Sequence, residues 1–164
     1  MSNTRPETPA AADPTSPAFD PLSLDHQLCF AIYTASNLMT RLYRPLLEPL
    51  GLTYLQYLAL LVLWERRPQS VGEVGQRLNL DSGTLTPLFK RMEAQGLVAR
   101  RRDPADERRV MIDLTDAGAA LRERALAVPA QVFKRLPVPL EDLVALKGQL
   151  GALAAGLAAE AEDA

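Results

Sequence analysis

The chain is poor in cysteine, histidine and tryptophan, with one of each among its 164 residues. A lone cysteine excludes a disulfide within the chain, and one histidine with one cysteine falls short of a stable soft-metal site. No apolar run reaches the ~18 residues needed to cross a bilayer, because the richest segment, YLQYLALLVLW, contains Gln56 and is followed by Glu65. We therefore expect a protein with no bound metal, no cofactor and no membrane contact.

The N-terminus also lacks the apolar stretch of a signal peptide. Residues 1–22 are rich in Pro, Ala and Thr and have no hydrophobic periodicity, so they are predicted to form a disordered tail. A chain without a signal peptide and without an internal disulfide is predicted to reside in the cytoplasm.

Charge is unevenly distributed along the chain, although the formal net charge is only −2. Between Arg66 and Arg109 there are ten Lys and Arg and six Asp and Glu, whereas the remainder has eight against fourteen. A basic segment in a net-acidic protein is compatible with docking on phosphates, although surface charge is more often merely solvated.

Hydrophobic periodicity and capping residues predict three helices in the first half of the chain. Apolar residues recur at intervals of three and four over residues 24–49, which predicts a long first helix. The spacings T-x-x-Q at Thr53 and S-x-x-E at Ser70 are typical of capping boxes, which begin the second and third helices.

The segment DSGTLTPLFKRMEAQG predicts a fourth helix that ends at Gly96. Pro87 should lie in its first turn, where a missing N–H is tolerated. An apolar face of Leu, Phe and Met should point inward. Thr86, Lys90 and Arg91 then point outward, as residues that enter a major groove must.

The segment LVARRRDPADERRVMIDLT predicts two short strands joined by a turn, with Arg108 and Arg109 beside the tip of the hairpin. Helices followed by a hairpin in this order are typical of a winged helix-turn-helix. The predicted fold class is therefore mainly α with a small β-hairpin wing.

The last part of the chain predicts two further helices. Thr115 should cap a helix that runs to about Arg135, with a kink at Pro129, and residues 140–159 should form the last helix. Leucines line one side of this helix at helical spacing. Because no further chain remains to cover that side, a second subunit is its expected partner.

Four stretches of the sequence together resemble the MarR family of transcriptional regulators, and within it the organic-hydroperoxide-responsive repressors of OhrR type. The resemblance implies a homodimeric repressor, not an enzyme, that binds pseudo-palindromic double-stranded operator DNA when reduced. It implies that an organic hydroperoxide oxidises Cys29 and thereby releases the DNA. The stretches are QLCFAIY, YRPLLEPLGLTYLQYLALLVLWE, LDSGTLTPLFKRMEAQGLV and DERRVMIDLT.

With no second cysteine in the chain, the oxidised sensor should form a mixed disulfide with a small cellular thiol or over-oxidise. The implied organisation is a tail over residues 1–22, an N-terminal helix for dimerisation and redox sensing over 23–52, a DNA-binding domain over 53–114 and C-terminal dimerisation helices over 115–164.

The resemblance also assigns Ser82 and Thr84 to the reading helix, Asp106 to the wing and Tyr54 to the surroundings of the sensor, and it places Arg108 in the minor groove. Together with the residues derived from helix geometry, it completes two predicted sites. The redox-sensing site comprises Cys29, Tyr33, Tyr43 and Tyr54, and the DNA-binding site comprises Ser82, Thr84, Thr86, Lys90, Arg91, Asp106, Arg108 and Arg109.

Helix geometry alone separates Cys29 from one of these tyrosines. Tyr33 and Tyr43 fall within about 40° of Cys29 around a helix, but Tyr43 lies about 21 Å further along the axis. A second copy of the helix, antiparallel across a two-fold axis, would bring Tyr43 to Cys29. Phenolic O–H groups there would favour the thiolate.

Three other functions are compatible with parts of the sequence. The main alternative is a MarR-type repressor released by a small aromatic or phenolic ligand. A thiol peroxidase would need a device for turnover, such as a second cysteine, and would not need a DNA-binding module. A metal sensor would have only His26 and Cys29 as a near pair of ligands.

Overall fold

A computed structural model describes residues 20–162, which fall into a shorter unit ending at Leu42 and a larger unit beginning at Tyr43. The predicted tail therefore lies almost entirely outside the described residues. In the shorter unit a 3₁₀ turn, Leu24–His26, precedes the first helix, and the side-chain amide of Gln27 donates to the carbonyl of Pro21 at 2.6 Å. The first helix thus begins four residues later than predicted.

The helices and strands follow the predicted order, with one additional strand and with the helix predicted from Thr115 to about Arg135 divided into two. The larger unit contains the end of α1 and every later element. The elements are α1 Leu28–Leu47, α2 Tyr54–Glu65, β1 Gln69–Ser70, α3 Val71–Leu78, α4 Ser82–Ala94, β2 Val98–Arg102, β3 Val110–Leu114, α5 Asp116–Ala125, α6 Ala127–Phe133 and α7 Leu140–Glu162.

Both predicted capping boxes are confirmed. The hydroxyl of Thr53 accepts the N–H of Gln56 at 3.3 Å, and the side-chain oxygen of Gln56 accepts the N–H of Thr53 at 2.9 Å. Ser70 and Glu73 make the same reciprocal pair at 3.2 and 2.7 Å. The starts of α2 and α3 are therefore determined by residues within one turn of each helix.

The wing is part of a three-stranded antiparallel sheet in the order β1-β3-β2. The predicted hairpin pairs Val98 with Leu114, and the two-residue strand β1, which was not predicted, pairs Gln69 with Ile112 on the other side of β3. The buried side chain of Gln69 also donates to the carbonyl of Val62 at 3.0 Å. β1 thus attaches the wing to the end of α2.

The predicted inward face of α4 is confirmed. Leu85, Leu88, Phe89 and Met92 are buried, and they join Leu47, Leu60, Leu63 and Val74 in the core. Burying an apolar side chain of this size stabilises a fold by roughly 1.5–3 kcal/mol. The opposite face of α4 is consequently held outward by a well-packed inner face.

Two predictions about proline are wrong in position. Pro87 lies in the second turn of α4, beyond the first intrahelical bond from Leu85 to Asp81 at 3.1 Å. The carbonyl of Gly83, which is exposed, cannot receive the usual bond from residue 87. The helix predicted from Thr115 to about Arg135 breaks at Leu126, three residues before the predicted kink at Pro129. Pro129 has no N–H to donate to the carbonyl of Ala125, the last residue of α5.

Over residues 140–160, helix α7 is exposed in the single chain except at the half-buried Leu143. The range Leu140–Glu160 is long and apolar enough to cross a membrane by length and composition, which corrects the expectation that no segment reaches that size. The search for continuous apolar runs missed this range because the leucines are separated by Ala and Gly, which interrupt a run of large apolar residues without adding charge. Its exposed large apolar residues are Leu140, Val144, Leu146, Leu150, Leu153 and Leu157.

Candidate sensor and DNA-binding surfaces

Three tyrosines form a cluster where the end of α1 meets α2. The ring centroid of Tyr43 lies 4.8 Å from that of Tyr54 and 5.8 Å from that of Tyr57, both in tilted geometry. Tyr57 in turn meets Trp64 edge-on at 6.4 Å. The structure therefore brings together two of the predicted sensor residues, Tyr43 and Tyr54, and adds Tyr57, which was not predicted.

The phenols of this cluster are held in their neutral form. Burial is the main cause that raises the pKa of Tyr43, and the neighbouring Tyr54 and Tyr57 raise it further. Burial likewise raises the pKa of Tyr54 and Tyr57. A phenol with a raised pKa stays protonated at physiological pH, so each hydroxyl remains available as a hydrogen-bond donor.

Cys29 and Tyr33 lie in the first turns of α1, in the shorter unit. Cys29 is an exposed free cysteine, and Tyr33 is 66% exposed. Leu28, Ile32 and Leu38 beside them are exposed apolar residues as well. The predicted stripe of Cys29 and Tyr33 is therefore open on the single chain.

The outer face of α4 presents the residues predicted to read DNA. Asp81 caps the helix, because its carboxylate accepts the N–H of Thr84 at 2.8 Å and its hydroxyl at 3.0 Å. These hydrogen bonds from Thr84 lower the pKa of Asp81. Lys90 and Arg91 are exposed and have no ion-pair partner within residues 20–162, whereas Thr86 is half-buried.

Arg108 projects from the loop between the two strands of the wing. Its side chain is 91% exposed, yet its guanidinium meets Asp106 with Nε 3.0 Å from Oδ1 and Nη2 3.3 Å from Oδ2. The Asp106 carboxylate also accepts the N–H of Arg108 at 3.1 Å. These bonds from Arg108 lower the pKa of Asp106, which keeps the carboxylate charged and orients the guanidinium outward.

Arg109 points the other way, toward the base of the wing. Its guanidinium lies 3.5 Å from Glu73 Oε2 and 3.8 Å from Asp103 Oδ2. Hydrogen bonds from Ser70 are the main cause that lowers the pKa of Glu73, with smaller contributions from Arg109 and Arg66. Arg109 therefore connects the wing to the start of α3, in contrast to the outward Arg108.

Comparisons with known proteins agree with this geometry. A family model described as the transcriptional regulator SarA/Rot matches residues 41–124, from the end of α1 into α5. An organic hydroperoxide resistance transcriptional regulator of Bacillus subtilis is 50% identical over 132 residues, which cover 80% of this chain and 90% of that protein. The chain belongs to the MarR family of transcriptional regulators.

Solved structures of MarR-family members show the same fold. AbfR of Staphylococcus epidermidis is 40% identical to this chain, and its structure bound to DNA has been solved in the reduced and the over-oxidised form. The two structures match this chain with TM-scores of 0.71 and 0.64. The two comparisons cover 82% and 79% of this chain, and 92% and 94% of AbfR. Apo MarR of E. coli is 25% identical with a TM-score of 0.64, over 77% of this chain and 96% of that one. The predicted winged helix-turn-helix is thereby confirmed.

Sequence patterns missed a hydrogen bond inside this MarR-family regulator. The side-chain amide of Gln56 donates to the side-chain oxygen of Gln95 at 2.8 Å, across 39 residues of sequence. A capping-box pattern predicts the bond between Gln56 and Thr53, but no local signal points to a partner so distant in the chain.

A cleft between α2 and the α5–α6 pair is the second feature that sequence patterns missed. Tyr57, Leu61 and Trp64 line one side, and Arg122 and Leu126 lie on the other. The cleft combines apolar walls with one cation, Arg122, and one carboxylate, Glu65, a mixture of apolar lining and a few polar groups that is typical of small-molecule sites.

Proposed function

We propose that this MarR-family protein is a redox-sensing repressor that binds operator DNA when Cys29 is reduced. An organic hydroperoxide oxidises Cys29 and the protein leaves the DNA. The observation that carries the proposal is the exposed Cys29 near the start of α1, the single cysteine of a chain half identical to a hydroperoxide resistance regulator. The protein acts as a regulator rather than an enzyme, and its place of action is the cytoplasm.

The chemistry needs only the thiolate and two small molecules. The thiolate attacks the terminal oxygen of the hydroperoxide and the O–O bond breaks, which gives a sulfenic acid and an alkoxide; the alkoxide takes a proton from water to become the alcohol. A small cellular thiol then attacks the sulfenic sulfur, which forms a mixed disulfide and water. No second cysteine exists in the chain to compete for the sulfenic acid.

The mixed disulfide is the form that we expect to release DNA. Over-oxidised AbfR is known bound to DNA, so adding oxygen atoms to a sensor does not by itself prevent binding in that relative. A mixed disulfide adds a whole peptide or amino-acid group at Cys29. Such a bulky group forces a larger rearrangement than one or two oxygen atoms.

Two copies of the chain are required for operator binding. We assign residues 53–114 to DNA binding, and residues 23–52 and 115–164 to dimerisation, with the exposed apolar side of α7 covered by the second subunit. In a two-fold dimer each copy places α4 in a major groove and its wing in a flanking minor groove of a pseudo-palindromic site. The contacts come from Ser82, Thr84, Thr86, Lys90 and Arg91 on or beside α4, and from Arg108, oriented by Asp106, with Arg109 behind it in the wing.

The thiolate of Cys29 is activated from the second subunit. Tyr43 follows Cys29 by fourteen residues, and an ideal helix that rises 1.5 Å per residue separates two such residues by about 21 Å, too far for contact within one helix. Tyr43 and Tyr54 of the partner would donate O–H bonds to the thiolate, and Tyr33 would line the same pocket. The ring centroids of Tyr43 and Tyr54 lie 4.8 Å apart, which supports a joint role for the two phenols.

The Tyr43→Phe homodimer should react slowly with hydroperoxide, because the ring remains while the donor is lost. A hydrogen bond to a charged group is worth roughly 1.5 to 3 kcal/mol, so oxidation near neutral pH should slow about tenfold or more. In a heterodimer of Cys29→Ser with Tyr43→Phe, the remaining Cys29 faces a partner that still has Tyr43. Its oxidation should be as fast as in the parent protein, followed by mass spectrometry. A slow heterodimer would place Tyr43 on the same chain as the thiol it serves.

A gel shift on the DNA upstream of the protein's own gene tests the proposed function. We expect the reduced protein to retard the fragment, and cumene hydroperoxide with cysteine to abolish the shift, while hydroperoxide in the presence of excess reductant leaves it intact. No shift of any fragment by the reduced protein, or a shift indifferent to oxidation, would contradict the proposal.

A second candidate function is release by a small aromatic or phenolic ligand. The cleft lined by Trp64, Glu65 and Arg122 favours it, because an aromatic ring could stack on the indole while its polar group pairs with Arg122 or with Glu65. The two functions differ in their dependence on Cys29. Release of the Cys29→Ser variant from DNA by benzoate or phenol would support the ligand-controlled function.

A further inference from the structure

Gln56 occupies an unusual position for a polar side chain. It is 3% exposed, and each half of its amide is used by a different part of the molecule. Its oxygen accepts the N–H of Thr53 and so caps α2, while its nitrogen donates to Gln95. The bond to Thr53 determines which way the amide faces, because a backbone N–H can only be paired with the oxygen. Gln95 must then present an acceptor.

Gln95 stands at the C-terminal end of the reading helix. It is the residue that follows α4, its N–H bonds to the carbonyl of Arg91 at 3.0 Å, and Gly96 after it reverses the chain with a positive φ of 71°. The side chain of Gln95 is not needed for these backbone bonds. Its role is therefore separable from the ending of the helix itself.

The other end of the Gln56 contact lies among the clustered tyrosines. Tyr54 is the first residue of α2 and Tyr57 follows Gln56 directly, and both rings pack against Tyr43. A shift of the α2 N-terminus changes the position of Gln56, since Gln56 lies within the first turn of this helix. One buried amide thus joins the helix of the tyrosine cluster to the end of the helix that faces DNA.

We propose that the hydrogen bond from Gln56 to Gln95 couples the state of the tyrosine cluster to the position of α4, which makes Gln95 a positioning residue for release. This inference rests on the proposed function, because it requires that the cluster responds to oxidation of the sensor. When the cluster is displaced, the loss or shift of this bond moves the end of α4 away from its DNA-binding position.

Two substitutions at Gln95 separate the hydrogen bond from the shape of the side chain. Gln95→Met has nearly the same length but no acceptor, so the amide of Gln56 loses its partner. Gln95→Glu keeps an acceptor oxygen and should preserve the bond. Gln95 is exposed, so both variants should fold, and thermal melting checks this. If the melting temperature of Gln95→Met is well below that of the parent protein, Gln95→Ala is used in its place.

The test is the ratio of operator affinities before and after Cys29 is thiolated with cumene hydroperoxide and cysteine, with the single adduct verified by mass spectrometry. Couplings between sites are typically 5- to 150-fold, and we expect a parent ratio of about that size. In Gln95→Met the ratio should fall at least about threefold, and Gln95→Glu should restore it. A purely structural role would lower the melting temperature and leave the ratio unchanged.

The outcomes separate this inference from the function on which it rests. A parent ratio near one would overturn the proposed function itself. A parent that is released normally, with an unchanged ratio in Gln95→Met, would overturn the coupling role alone. An equal fall in Gln95→Met and Gln95→Glu would also overturn it, since the acceptor would then be irrelevant.

Discussion

The Cys29→Ser variant should remain bound to operator DNA at hydroperoxide concentrations that release the parent protein. The oxygen of serine is not oxidised by a hydroperoxide, so only the trigger is removed. Cys29 is exposed and free, so serine should fit without disturbing the fold. The parent should lose affinity about 5- to 150-fold on oxidation with cysteine present, and the variant should lose none.

Fluorescence anisotropy with a labelled operator duplex measures both proteins under the same oxidant. Equal affinities of the two reduced proteins serve as the control, because they show that serine leaves DNA binding intact. Mass spectrometry of the parent should find one thiol adduct per chain. Release of Cys29→Ser by hydroperoxide would rule out a thiol sensor and direct attention to the tyrosines or methionines.

The Arg108→Ala variant should bind the operator more weakly while the dimer stays folded. The guanidinium is almost fully exposed and held outward by Asp106, so it contributes nothing to the core and is accessible for the minor-groove contact that we propose. The loss should be about 1 to 3 kcal/mol, or roughly 5- to 150-fold in affinity. Isothermal titration with operator DNA measures it, and analytical ultracentrifugation verifies the dimer.

Arg109→Ala is the matched control, since it removes the same charge one residue away. Its guanidinium faces Glu73 and Asp103, so its loss should affect the attachment of the wing more than direct contact with DNA. We expect a smaller loss of affinity than for Arg108→Ala. Equal affinity of Arg108→Ala and the parent protein would remove the outer guanidinium from the mechanism.

Features decided within one turn of the chain could be predicted from the sequence. The capping boxes at Thr53 and Ser70, the inward face of α4 and the hairpin all depend on residues three or four apart, or on a local alternation. The predicted order of helices and strands was then enough to predict the winged helix-turn-helix fold. The sensor and reading residues came from the family resemblance as much as from helix geometry, and their roles stay predictions.

Features decided by distant residues could not be predicted. Strand β1 is two residues long and exists because β3 pairs with it, so Gln69 had no periodic signal of its own. Gln56 bonds to Gln95, which is 39 residues away along the chain, and Arg109 bonds to Glu73, which is 36 residues away. Pro87 lies in the second turn of α4 rather than in the first for a different reason. The carbonyl of Gly83, which loses its hydrogen bond to residue 87, is exposed, and this exposure cannot be read from the local sequence.

Most arginines of the wing already have counterions within the protein. Arg101 pairs with Asp113, Arg108 with Asp106, and Arg109 with two carboxylates. A free cation releases condensed ions from DNA when it meets a phosphate. For each phosphate neutralised, the logarithm of the binding constant then falls by about 0.9 per tenfold increase in salt concentration. An arginine that is already paired must leave its carboxylate in order to bind a phosphate, and the carboxylate left behind is repelled by the negatively charged DNA. If these arginines contact DNA as proposed, we expect the wing to attract DNA of arbitrary sequence only weakly. It should favour sites whose groove offers each arginine a replacement for its carboxylate partner.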